Sequence, residues 1–295
     1  MRPAATRGRR TRSARLLTAL VLAALLSGGC AWLEERVRMA VFRPSTAVPD
    51  SFAGLQPGDL AYRVPAGNPE PQDQWVQMWW LPAADTGAPT LLYLHGTFRN
   101  LYHNHPKMLA IREAGYSVLA VEYRGWGDSS PLVPTEQSLH SDAEAGWREL
   151  VRRQPDPGLR VIYGHSMGSA VAVELAARKG DGPNYGGLIL ESAFSSATEL
   201  AAATHAIAGP LAWLLGWGFD AQARIGSVRP PILMLHGAAD DTVPLELGRR
   251  LFDAAPQPKN LVVFDGGTHS RLHAVAAARY REVLAEFAAR LRDGR

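Results

Sequence analysis

From about residue 59 to its end, the chain repeats one pattern: a short apolar run, then a longer stretch with apolar residues at helical spacing. Gly58–Val64 and Trp75–Leu81 predict an opening antiparallel pair, with Pro65–Asp73 as the turn. Thr90–His95, Ser117–Tyr123, Arg160–Tyr163, Gly187–Glu191, Ile232–His236 and Leu261–Phe264 are nearly continuous apolar runs, which predict strands buried on both faces. Between them, residues 104–114, 137–153, 167–179, 195–228, 245–254 and 270–292 predict helices, several closed by Gly115, Pro155 or Gly180. Eight strands alternating with helices define an α/β domain: a mostly parallel sheet covered on both faces. Ligands of such sheets bind at the carboxyl ends of the strands, so candidate chemistry is sought just after each run.

The first 58 residues break the pattern. Six arginines precede residue 16, LLTALVLAALLS follows over residues 16–27, and then come Gly28, Gly29 and Cys30. A basic segment, a short apolar run and small residues are the parts of a secretory signal, and twelve apolar residues fall short of the roughly 20 that span a bilayer. Residues 1–29 are therefore read as a signal peptide, residues 30–58 as a connector with Pro44, Pro49 and Pro57, and residues 59–295 as the folded domain. An uncleaved anchor over residues 16–33 is the competing reading. Whether the connector packs on the domain is open at this stage, as is the oligomeric state.

Composition narrows the function classes. The formal charge of +3 comes from the leader. Without residues 1–29 the chain has 25 basic and 28 acidic side chains, with no basic stripe suited to nucleic acid. Cys30 is the sole cysteine, which excludes an intramolecular disulfide. His103 and His105 have no neighbouring carboxylates or cysteines, so they read as residues entering a helix rather than metal ligands. Leu211, Trp213, Leu214, Leu215 and Trp217 form an apolar patch that suits either acyl chains or core.

Gly164-His165-Ser166-Met167-Gly168 fits G-x-S-x-G, and its setting strengthens it: Val161-Ile162-Tyr163 leads in and an alanine-rich helix leads out. The glycines permit the tight turn that lifts the Ser166 hydroxyl above the sheet, over a helix N-terminus that favours negative charge. A serine nucleophile needs a base, expected later in the chain, with an acid between the two. His269 follows the last strand through Asp265-Gly266-Gly267-Thr268 and is the preferred base; His273, four residues on, is the alternative. Asp240 follows strand Ile232–His236 and is the preferred acid. Asp241 reads as a cap for the next helix, and Glu191, ending its own strand, is a second choice of acid. Backbone N–H groups of Met167 and Thr97 are the expected oxyanion donors, the latter from the loop after Thr90–His95, where His95 supports the turn.

Five blocks in order carry a family resemblance: His95-Gly96; Tyr123 to Ser129; Gly164 to Gly168; Glu191-Ser192-Ala193-Phe194; and His236-Gly237 through Pro244. Over residues 59–290 they resemble the abhydrolase-domain serine hydrolases of the α/β-hydrolase fold, most of all the group with an N-terminal membrane anchor and no large cap domain. The resemblance implies a carboxylic ester, thioester or amide substrate, often lipid-like, and no cofactor. Amide or peptide cleavage on the same residues, or a non-catalytic lipoprotein using the fold for binding, are the alternatives. Leu26-Ser27-Gly28-Gly29-Cys30 resembles a bacterial lipobox with Ser27 where leucine is usual. It implies cleavage before Cys30, lipid on its thiol and, with Ala31 next, an outer-membrane location facing the periplasm.

Overall fold

The structure is a computed structural model that describes residues 32–67, 73–97, 99–180, 184–204 and 218–294. Cys30, Phe98, His205 and the patch from Leu211 to Trp217 lie outside the described residues. Eight strands form one sheet: β1 (Leu60–Pro65), β2 (Trp75–Leu81), β3 (Thr90–Leu94), β4 (Ser117–Glu122), β5 (Arg160–His165), β6 (Gly187–Glu191), β7 (Ile232–Gly237) and β8 (Lys259–Phe264). Their order is β1-β2-β4-β3-β5-β6-β7-β8; β2 is antiparallel to both neighbours, and β3 to β8 run parallel.

The apolar runs have a simple cause. Successive side chains of a strand point to opposite faces, and here both faces are covered. Leu92, Leu94, Leu119, Val121, Ile162, Leu188, Leu190 and Met234 enter one core. It is closed by α2 (Glu136–Arg153), α3 (Met167–Arg178), α5 (Ala221–Ile225) and α6 (Leu245–Ala254). Leu91, Tyr93, Val118, Ala120, Val161, Tyr163, Ile189 and Leu235 enter the other, closed by α1 (Leu101–Glu113) and α8 (Ala277–Asp293). α2 starts on a capping box in which Thr135 and Ser138 satisfy each other's backbone N–H groups. α4 (Ala197–Thr204) and α5 are the described helices of the long crossover from β6 to β7.

Three expectations shift. The predicted closing helix over residues 270–292 is divided into α7 (Leu272–Val275) and α8, because Ala276 leaves helical geometry at φ −121°, ψ 42°. His103 and His105 lie inside α1, which starts earlier than predicted because the Asn100 side chain caps it. The described compact unit containing the sheet begins at Phe42. Phe42 is buried against Trp126 and Phe219, Asn100 Nδ2 donates to the carbonyls of Ser45 (3.1 Å) and Ala47 (2.7 Å), and Phe52 stacks on Trp79. The later half of the connector therefore packs on the domain. The helical stretch over residues 32–42 carries exposed Trp32, Leu33, Met39 and Val41. Among the described residues no helix is long and apolar enough to cross a membrane.

Candidate active site

The carboxyl end of β5 turns abruptly into α3, and Ser166 sits on that turn at φ 54°, ψ −123°, a strained conformation for a residue with a side chain. Two glycines make the turn possible. A Cβ on Gly164 would lie 2.5 Å from Ser169 Cα and 2.7 Å from Ala172 Cβ; one on Gly168 would lie 2.5 Å from the His95 carbonyl oxygen, with that of Leu94 nearer still. These are backbone obstacles that cannot rotate away, so Gly168→Ala must push α3 off β3. We expect it to cost about 3 kcal/mol of stability, seen as a melting temperature lowered by roughly 5 °C or more, together with loss of the site's activity.

The loop after β8 delivers the imidazole. His269 Nε2 lies 2.9 Å from Ser166 Oγ, and His269 Nδ1 lies 2.9 and 3.1 Å from the two oxygens of Asp240. Three residues separated by up to 103 positions thus form one hydrogen-bonded line at the sheet's edge. Ser166 and His269 are 8% and 6% exposed, buried yet reachable.

Asp240 is placed by its own loop. Its Oδ1 accepts the N–H groups of Thr242 (3.0 Å) and Val243 (2.8 Å), while His236 Nε2 donates to the Val243 carbonyl at 3.0 Å. Burial works against the carboxylate's charge, but His269, the Val243 N–H and the Ser192 hydroxyl outweigh it and hold the Asp240 pKa below its ordinary value. Asp241 is exposed and accepts from the Thr242 hydroxyl rather than capping α6, whose N-terminus has no side-chain cap. His273 is half-buried in α7 against Tyr280, where burial pushes its pKa down to about 4. Glu191, the alternative acid, turns away from His269: its carboxylate takes Lys107, Tyr163 and Tyr280.

The two expected oxyanion donors, Met167 and Thr97, come from chain segments next to Ser166. Met167 is the first residue of α3, so its N–H belongs to the first turn, which has no intrahelical acceptor. Gly96 packs against Ser166 so tightly that a Cβ there would lie 3.0 Å from Ser166 Cβ, and Thr97 follows it. His95, fully buried, braces this turn: Nδ1 donates to the Gly96 carbonyl at 2.7 Å, and Nε2 lies 3.1 Å from Glu122. His103 Nδ1 bonds the Asn100 side chain at 2.6 Å, and His105 packs on Phe52 and Trp79, so the two histidines do not converge.

Comparisons with known proteins bear on the family and the fold. A relative of undetermined function in Mycobacterium tuberculosis is 32% identical over 262 residues, covering 87% of this chain and 89% of its own. This chain belongs to the α/β-hydrolases. A family described as serine aminopeptidase, S33, matches residues 88–221 of the hydrolase, the stretch that carries the Ser166 turn. The lysophosphatidylserine lipase ABHD12 of Danio rerio is 31% identical over 216 residues, 68% of this chain and 56% of that one. A solved alpha-beta hydrolase from Vibrio vulnificus superposes with a TM-score of 0.71 at 18% identity, covering 86% of this hydrolase and 93% of its own chain, a likeness of fold.

Some residues that build the site were not singled out from sequence. The hold of His236 on the Asp240 loop, and of His165 and Ser192 on the His269 loop, depends on pairings between strand ends. Their only sequence signal was membership of the family blocks.

Proposed function

We propose that this hydrolase is a serine esterase, cleaving carboxylic esters or thioesters through an acyl-Ser166 intermediate. The observation that carries the reading is the continuous hydrogen-bonded line from Ser166 Oγ through His269 to Asp240. Before attack, Nδ1–H of His269 is donated to Asp240 and Nε2 accepts the Ser166 hydroxyl. As Oγ attacks the acyl carbon, Nε2 takes its proton, and the imidazolium formed is stabilised by Asp240. The carbonyl oxygen becomes an oxyanion facing the N–H groups of Met167 and Thr97, each such donor contributing about 10²–10³ in rate. Collapse expels the alcohol or thiol, which takes the proton from Nε2. Water then enters, gives a proton to Nε2 and attacks the acyl-enzyme; Oγ leaves with that proton, restoring the serine.

The lipase name of the zebrafish relative supports a lipid-like ester, and the peptidase name of the matching family supports amide cleavage on the same groups. Parallel assays on p-nitrophenyl esters of graded chain length and on aminoacyl amides separate the two. A fluorophosphonate probe tests the nucleophile: wild-type protein is expected to be labelled and Ser166→Ala not, and equal labelling would reject Ser166.

The N-terminal sequence supports attachment to a bacterial membrane through lipid on Cys30, facing the periplasm. More than one acyl chain is needed for durable anchoring, and a lipoprotein cysteine supplies them. Cys30→Ser is expected to move the protein from the membrane to the soluble fraction; retention would favour an uncleaved helix over residues 16–33.

A further inference from the structure

Glu191-Ser192-Ala193-Phe194 is one of the five blocks, yet the mechanism above gives it no task. Glu191 ends β6, Ser192 follows it, and the two touch all three members of the line. The Glu191 carbonyl accepts the Ser166 N–H at 2.9 Å. The Ser192 hydroxyl donates to the His269 carbonyl at 3.0 Å and also lies within hydrogen-bonding reach of Asp240. The Ser192 N–H donates to the Leu235 carbonyl at 2.9 Å, on the strand that leads to Asp240.

The His269 carbonyl has a second donor, His165 Nε2, also at 3.0 Å. A carbonyl oxygen has two lone pairs, so both are taken. Burial and the Lys107 charge hold His165 well below its usual pKa, so it serves as a neutral donor. The base is thereby tied to the nucleophile's turn twice: by its ring to Ser166, and by its own peptide to the residue preceding Ser166.

The strand end is itself unusually fixed. Glu191 is fully buried, and its carboxylate is gripped by Lys107, 1% exposed, and by the hydroxyls of Tyr163 and Tyr280, the latter at 3.0 Å. Desolvating such a pair offsets most of its attraction, so it gives little net stability. What it does give is geometry: three groups, from α1, β5 and α8, fix the one carboxylate at the end of β6. Ser192, at φ 51° and fully buried, holds a backbone conformation that costs a residue with a side chain about 1–3 kcal/mol.

We infer that Glu191 and Ser192 are positioning residues that hold the His269 imidazole in line with Ser166: Ser192 through the His269 carbonyl, and Glu191 by immobilising the strand end that presents Ser192. The inference rests on the serine-hydrolase reading. No contact with substrate is required of either residue.

The test compares Ser192→Ala and Ser192→Gly with the wild type on a p-nitrophenyl ester and a fluorophosphonate, with rates expressed per titrated active site and thermal melting measured alongside. Glycine relieves the positive φ, so Ser192→Gly should be at least as stable as the wild type while lacking the hydroxyl. Both variants are expected to lose roughly tenfold in kcat and in labelling rate, the scale of one lost hydrogen bond, with KM within about twofold. Stability and activity moving in opposite directions in Ser192→Gly is a result that a purely structural role does not give. Exchanging the ion pair as a unit, Lys107→Met with Glu191→Gln, is expected to lower kcat in the same sense without stranding a buried charge. Wild-type rates per site in either Ser192 variant, or a raised KM with unchanged kcat, would overturn the inference. A wild-type protein inert to the probe would instead reject the serine-hydrolase reading, and this inference with it.

Discussion

Ser166→Ala is expected to lower ester turnover by about 10⁶-fold, to within the activity of the site's donors and binding surfaces alone. The size follows from what the substitution removes. On the proposed mechanism the acyl-enzyme cannot form without Oγ, and the two-step route reverts to direct attack by water. The loss corresponds to about 8 kcal/mol of transition-state stabilisation. The fold should be undisturbed, because Ser166 is anchored by its backbone: its N–H to Glu191 and its carbonyl to the Ser169 N–H at 2.8 Å and Oγ at 2.6 Å. Alanine at φ 54° carries strain equal to that of serine, so melting should shift little. Turnover measured beside the melting curve checks both halves. Residual activity above about one per cent would show that another group attacks the substrate.

The second large effect belongs to the acid. Asp240→Asn is expected to lower kcat by about 10⁴, or some 5.5 kcal/mol, with KM nearly unchanged. The carboxylate accepts from His269 Nδ1 through both oxygens, so the ring keeps its proton on Nδ1 and leaves Nε2 free to receive one from Ser166. An amide can turn its NH₂ toward Nδ1, which then accepts instead; the ring proton moves to Nε2, and the base faces the nucleophile already occupied. A pH series on stability provides a second reading. Because the folded pKa of Asp240 lies below its ordinary 3.8, its carboxylate contributes stability that is present above that value and is lost as pH falls through the folded pKa. The variant should lack this part of the acid transition. Full activity in Asp240→Asn would move the acid's role elsewhere, with Glu191 the first residue to test.

Much of this was legible before any coordinates. The runs from Leu91 to Leu94 and from Gly187 to Leu190 read as strands covered on both sides, since every position is apolar or small and the length is too short for a helix. Gly164 and Gly168 announced the sharp turn, and the small residues before His269 announced a loop able to reach it. Other features were not legible. The interruption at Ala276 is a departure of the backbone to φ −121°, ψ 42°, and nothing in the local composition marks it. The later connector is polar and proline-punctuated, and Phe42 finds its place only because Trp126 and Phe219 open onto it. The carboxylate of Glu191 ends its strand as plausibly as Asp240 does. Lys107, arriving from a helix 84 positions away, takes that carboxylate, and Asp240 is the one that faces the imidazole.

The sequence by itself determined the layered α/β plan and the candidate nucleophile, base and acid, because side-chain periodicity and turn chemistry are local properties of the chain. Only the tertiary structure decided which carboxylate faces the imidazole, and that the end of β6 ties all three groups together. Those outcomes depend on hydrogen bonds and ion pairs between strand ends and helices remote in sequence, and no local pattern encodes which partner lies across the gap.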